Sequence, residues 1–119
     1  MTRSRRLILA LAAVFVGAVG PVHAEPPKLT GAQKLELGHA IVDRNCSMCH
    51  AVETTGVSAN PEAPPFRLLN RKISVDDLSE ALAEGIMTGH PAMPEFRFEP
   101  REVEAIVLYL KSIQTRVRV

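Results

Sequence analysis

The amino-acid sequence predicts an all-α domain of three main helices joined by unusually long loops. Apolar residues recur every three to four positions in three stretches, the period of a helix with one buried face. Glycine and proline collect in the two stretches between them, where helix and central strand are both disfavoured. No alternating apolar–polar run persists and no segment repeats, so no sheet is expected.

The first 24 residues stand outside this fold. Arg3, Arg5 and Arg6 make a basic start, Leu7 to Val19 is apolar apart from Gly17, and Val22-His23-Ala24 offers small residues two apart. That order marks a secretory leader over residues 1–24, cut near Ala24. A membrane anchor needs about 20 apolar residues, and this run stops at Gly20-Pro21. No stable membrane insertion is therefore expected once the leader is gone. Ser4-Arg5-Arg6-Leu7-Ile8-Leu9 partly resembles a twin-arginine export signal.

The first helix follows an extended tail. Thr30 stands three residues before Gln33 as a capping box, and Leu35, Gly38, Ile41 and Val42 recur at helical spacing over residues 31–45. Gly38 costs ~1 kcal/mol relative to Ala, which points to close approach by another helix. Gly56, Asn60, Pro61, Pro64 and Pro65 make most of residues 51–73 a loop. Ser74 followed by Asp77 signals a second helix start, with Leu78, Ala81 and Leu82 as its stripe and Gly85 at its end. Gly89, Pro91 and Pro94 make residues 86–98 a second loop. Pro100 suits the first turn of a third helix, whose buried face is Val103, Ile106, Val107, Leu110 and Ile113, with Arg116 and Arg118 as an exposed tail.

Composition limits what such a domain can do. At 119 residues there is room for one small domain. With 14 Lys+Arg against 13 Asp+Glu there is no broad basic surface for nucleic acid. Without the leader, residues 25–119 carry a formal charge of −2. Those residues hold four aromatics (Phe66, Phe96, Phe98 and Tyr109), few for so short a chain, so something else is expected to fill the interior.

The chemistry lies in Cys46-Ser47-Met48-Cys49-His50. Cys-x-x-Cys-His is the signature of covalent haem attachment. Two thiols three apart on a helical turn share one side and can add to the two vinyl groups of one porphyrin. The next residue, His50, is then carried beneath the iron as proximal ligand. Both cysteines of the chain are used. A redox dithiol would sit beside a βαβ pattern that is missing. A zinc site would need two more ligands; His39 and His90 could supply one each but lack paired spacing.

On these residues the chain resembles the class I c-type cytochromes over residues 30–113. Gly38 lies eight residues and Val42 four before Cys46, where that family keeps a glycine and a large apolar residue. Tyr109-Leu110 resembles the aromatic-aliphatic pair of its last helix, and Ala63-Pro64-Pro65-Phe66 resembles the loop beside the proximal histidine. The resemblance implies a cytochrome c fold, with residues 25–119 as a monohaem domain wrapped around one haem c and its iron. It also implies that the Pro64 carbonyl accepts the His50 Nδ1–H, fixing the ring and raising its basicity.

The sixth ligand is expected to be Met93, in His90-Pro91-Ala92-Met93-Pro94. Flanking prolines restrict the backbone, and a thioether is a soft, neutral ligand that favours ferrous iron. The Met-Pro pairing before the last helix is similar to the family's axial-methionine loop. Met48 lies inside the proximal turn and cannot reach the other face. Met87 follows the second helix and suits core packing. His39 suits a solvent-facing or haem-edge position, and His90 or an open site is the serious alternative.

Blander roles suit other residues. Asp76-Asp77 complements a helix start. Arg67, Arg71 and Lys72 are either an exposed basic cluster or partners of haem propionates. Phe66, Phe96 and Phe98 wall the haem pocket or pack the core.

The resemblance implies a soluble periplasmic electron carrier rather than an enzyme, with both axial positions filled by the protein. Its partners would be a dehydrogenase, reductase or oxidase, and a monomer is expected. The alternatives are a haem enzyme or gas sensor with an open distal site, and a haem subunit of a periplasmic oxidoreductase complex. Haem attachment outside the cytoplasm needs reduced thiols, so export of an unfolded chain by the general secretory route fits better than twin-arginine export.

Overall fold

The structure is a computed structural model and describes residues 26–85 and 93–115. The leader (1–24), Met87, Gly89, His90 and Pro91 lie outside the described residues, as do Arg116 and Arg118. Among the described residues the order is α1 (Gly31–Cys46), a 3₁₀ helix (Phe66–Arg71), α2 (Leu78–Glu84) and α3 (Pro100–Ile113), with no strand. The domain is all-α, as expected. No helix among these residues is long and apolar enough to cross a membrane.

Helix α1 begins at a reciprocal cap. Thr30 Oγ accepts the Gln33 N–H at 3.3 Å and Gln33 Oε1 accepts the Thr30 N–H at 2.9 Å, satisfying two donors that helix starts leave unpaired. The helix buries Gly38, Ile41 and Val42, while Leu35 is only half-buried. Helix α3 has Pro100 at its first position, and Glu102 Oε2 accepts the Glu99 N–H at 3.0 Å. It buries Val103, Ala105, Ile106, Tyr109, Leu110 and Ile113.

The two helices cross at Gly38. A Cβ built there would overlap the Ala105 carbonyl oxygen, with the carbonyl carbon at 2.6 Å and the Tyr109 Cβ at 2.9 Å. Only a hydrogen at that position lets the backbones meet. An ion pair between Lys34 and Glu104 also joins α1 to α3.

Two elements differ from expectation. Helix α2 starts at Leu78 rather than Ser74. Ser74 Oγ accepts the Asp76 N–H at 3.2 Å, but the next three N–H groups reach carbonyls only three residues back. Residues 74–77 thus wind as a tighter turn ahead of the helix. Residues 66–71 form a 3₁₀ helix inside the expected loop. Proline ends at Pro65, so Phe66 onward is free to wind. The Phe66 and Arg67 carbonyls are taken by Gln114 Nε2 and the Thr115 N–H at 2.8 and 2.9 Å, which ties this short helix to the end of α3.

The core lies between these elements, with Val42 and Val75 fully buried. Phe66, Leu82, Ile106, Tyr109 and Leu110 belong to the same cluster. Gly85 ends α2 at φ 110°, a conformation that favours glycine, and its N–H reaches the Ala81 carbonyl.

Candidate functional site

The last turn of α1 runs directly into the motif. The Cys49 and His50 N–H groups reach the Cys46 carbonyl at 3.1 and 2.9 Å, so helical winding continues through the two cysteines. Beyond it the chain has no regular element and is fastened peptide by peptide. The Cys49 carbonyl accepts the Asn60 N–H at 3.1 Å, and the Ala51 carbonyl accepts the Phe66 N–H at 2.9 Å. Ser58 Oγ accepts the Ala51 N–H at 3.0 Å. The Tyr109 hydroxyl donates to the Val52 carbonyl at 2.9 Å.

His50 is oriented by two contacts. Its Nδ1 lies 2.8 Å from the Pro64 carbonyl oxygen. A carbonyl can only accept, so Nδ1 carries a proton, and in the neutral ring Nε2 is then the nitrogen with a lone pair for a metal. The Phe66 ring backs the imidazole at 4.4 Å between centroids, with the planes 34° apart.

A cavity of about 520 Å³ opens here, lined among others by Cys46, Cys49, His50, Pro64, Met93 and Phe96. The structure thus brings all five candidate residues to one cavity. Met48 also borders it and is 85% exposed. Burial pushes the Cys46 thiol up to about 11, with the neighbouring Cys49 adding to the rise, so the free side chain stays uncharged at neutral pH.

Other candidates fall elsewhere. His39 pairs with Glu53 at 2.6 Å and packs on Tyr109 with ring centroids 5.0 Å apart, away from the cavity lining. No three His, Cys, Asp or Glu groups gather for a bare metal ion among the described residues. Arg67, Arg71 and Lys72 do not line the cavity, and Arg67 has a buried Nη1 without a hydrogen-bond partner. Arg44, on the last turn of α1, does line it. Phe96 is a cavity wall, whereas Phe98 packs on the core and stacks against Phe96 at 5.9 Å. The Ser58 and Tyr109 hydroxyls had no signal in the sequence, because their partners are seven and 57 residues away.

The donor set fits haem. Two thiols and an imidazole whose Nδ1 is held by a carbonyl meet one cavity that also takes in a thioether. An all-α domain with this motif at the end of its first helix defines a c-type cytochrome. The chain belongs to the family described as cytochrome c oxidase, cbb3-type, subunit III, which matches residues 33–110. It is similar to cytochrome c-552 of Bradyrhizobium diazoefficiens, 30% identical over 87 residues that cover 71% of this chain and 82% of that protein. No solved structure matches the chain. Membership brings covalently bound haem c and its iron, and with them electron-transfer chemistry.

Proposed function

We propose that this chain is a class I, single-haem electron carrier, exported by a leader cut near Ala24 and working as a soluble periplasmic monomer. Cys46 and Cys49 would hold the haem through two thioethers, and His50 Nε2 and Met93 Sδ would ligate its iron. Haem c supplies reversible one-electron chemistry when bound. The Pro64 carbonyl holds the Nδ1 proton and keeps the imidazole in one tautomer and orientation. Phe66 packs against the imidazole, and Met93 would occupy the iron position that an exogenous ligand could otherwise take. The observation that carries this reading is the His50–Pro64 contact at the wall of a cavity that also includes Met93. Redox partners would be a dehydrogenase, reductase or oxidase, met in brief docking contacts.

Spectra of the purified protein in both oxidation states, with and without carbon monoxide, test it. The expected result is reversible cycling with no rapid carbon monoxide binding to the untreated ferrous form. Rapid binding would favour an open distal site and a sensor or enzyme role instead. A second reading, a haem subunit of an oxidoreductase complex, is favoured by the oxidase-subunit description of the matched family. Copurification with a large membrane partner would support that reading over a free shuttle.

A further inference from the structure

The segment carrying Met93 has no helix or strand of its own between residues 93 and 99. It is fastened to the end of α2 at two adjacent positions. The Phe98 N–H reaches the Leu82 carbonyl at 3.0 Å, and Arg97 Nη2 donates to the Glu84 carbonyl at 2.8 Å. Both acceptors belong to the last turn of α2, where carbonyls have no partner within the helix. Glu95 closes over the same turn: a Cβ on Gly85 would meet its Oε1 at 2.5 Å.

We infer that Arg97 is a positioning residue for the distal ligand, its guanidinium latching the Met93 segment to the end of α2. The inference rests on Met93 being that ligand. The Phe98 bond uses backbone and is common to any sequence; the Arg97 bond is the part that a side chain decides. A charged donor on a backbone carbonyl makes a stronger bond than a neutral one, though exposure to water weakens it. Arg97 is four residues beyond Met93 and the Glu84 carbonyl nine before it, so the bond closes a loop around the ligand. Opening that loop lets Met93 leave the iron more often.

An exogenous ligand reads this directly. Imidazole binds ferric iron only when Met93 has left, so its apparent affinity scales with the fraction of open protein. In the holoprotein, Arg97→Ala is expected to bind imidazole about two-fold more tightly than the parent, the factor set by one exposed charge-assisted bond. Arg97→Lys, which keeps a cationic donor, should recover part of the difference. Met93→Ala should bind more tightly than either. If Met93→Ala tightens binding and Arg97→Ala does not, the latch is overturned while the ligand assignment stands. If Met93→Ala leaves binding unchanged, the ligand assignment fails and the latch with it. A lower melting temperature for Arg97→Ala with unchanged imidazole affinity would reduce Arg97 to an ordinary surface contact and overturn its positioning role.

Discussion

The segments bearing His50 and Met93 border one cavity, yet they are held in different ways. From Cys49 to Val52, successive peptide groups bond to Asn60, Ser58, Phe66 and Tyr109, and Ala51 and Val52 are buried. The Met93 segment exposes Pro94, Glu95, Arg97 and Glu99 and ties to α2 near its far end. His50 is half-buried against the core residue Phe66, and Met93 lies on a segment that bonds to α2 five residues further on. Damage on the His50 side should therefore appear as lost stability, and damage on the Met93 side as altered ligand exchange.

The largest effect should come from removing the ring behind His50. Phe66→Ala is expected to cost about 4 kcal/mol, the usual range for emptying a buried aromatic site. Chemical denaturation of the holoprotein measures it, and a cost under about 1 kcal/mol would mean the ring is not part of the core. Next is Gly38→Ala, which forces a methyl into the Ala105 backbone and should cost about 3 kcal/mol by separating α1 from α3. Imidazole affinity should stay near the parent value in that variant, because the atoms a Gly38 methyl meets belong to Ala105 and Tyr109.

Tyr109→Phe removes only the hydroxyl and leaves the Val52 carbonyl buried without its donor, at an expected cost of about 1 to 2 kcal/mol. Burial, reinforced by Glu53, pushes the Tyr109 hydroxyl up to about 12. A raised value on an acid means the unfolded chain loses its proton first. The stability it contributes is whole below the ordinary value near 10 and falls away as the pH rises towards 12. Tyr109 is the only tyrosine, so ultraviolet difference titration of tyrosinate reports it alone; a midpoint near 10 would contradict its burial. The smallest effect on folding should be that of Arg97→Ala, within about 0.5 kcal/mol, since an exposed side chain leaves the core untouched. A loss as large as that of Tyr109→Phe would erase the contrast between the two sides.

What could be read from the chain follows the same divide between near and far. Thr30 with Gln33, Pro100 and the Cys46–His50 run are short-range patterns whose geometry is fixed within one or two turns, and each stands where its spacing indicated. Gly38 was legible as a close approach because glycine inside an apolar stripe has a cost that only packing offsets. The 3₁₀ helix was not, since its carbonyls are claimed by Gln114 and Thr115 more than 40 residues on. Ser74 misled for a local reason: it caps a turn, and the turn precedes the helix. Arg97 looked like any surface arginine, and the Tyr109 ring was legible in the last helix while its hydroxyl bond was not, because a bond across 13 or 57 residues leaves no periodic trace.

The most direct test is the far-red charge-transfer absorption that methionine sulfur gives on ferric haem iron, recorded for the parent and for single alanine variants. The expected result is a band in the parent that disappears in Met93→Ala and persists in Met87→Ala and His90→Ala. A band that survives in Met93→Ala, or one that is absent from the parent, would contradict ligation of the iron by Met93.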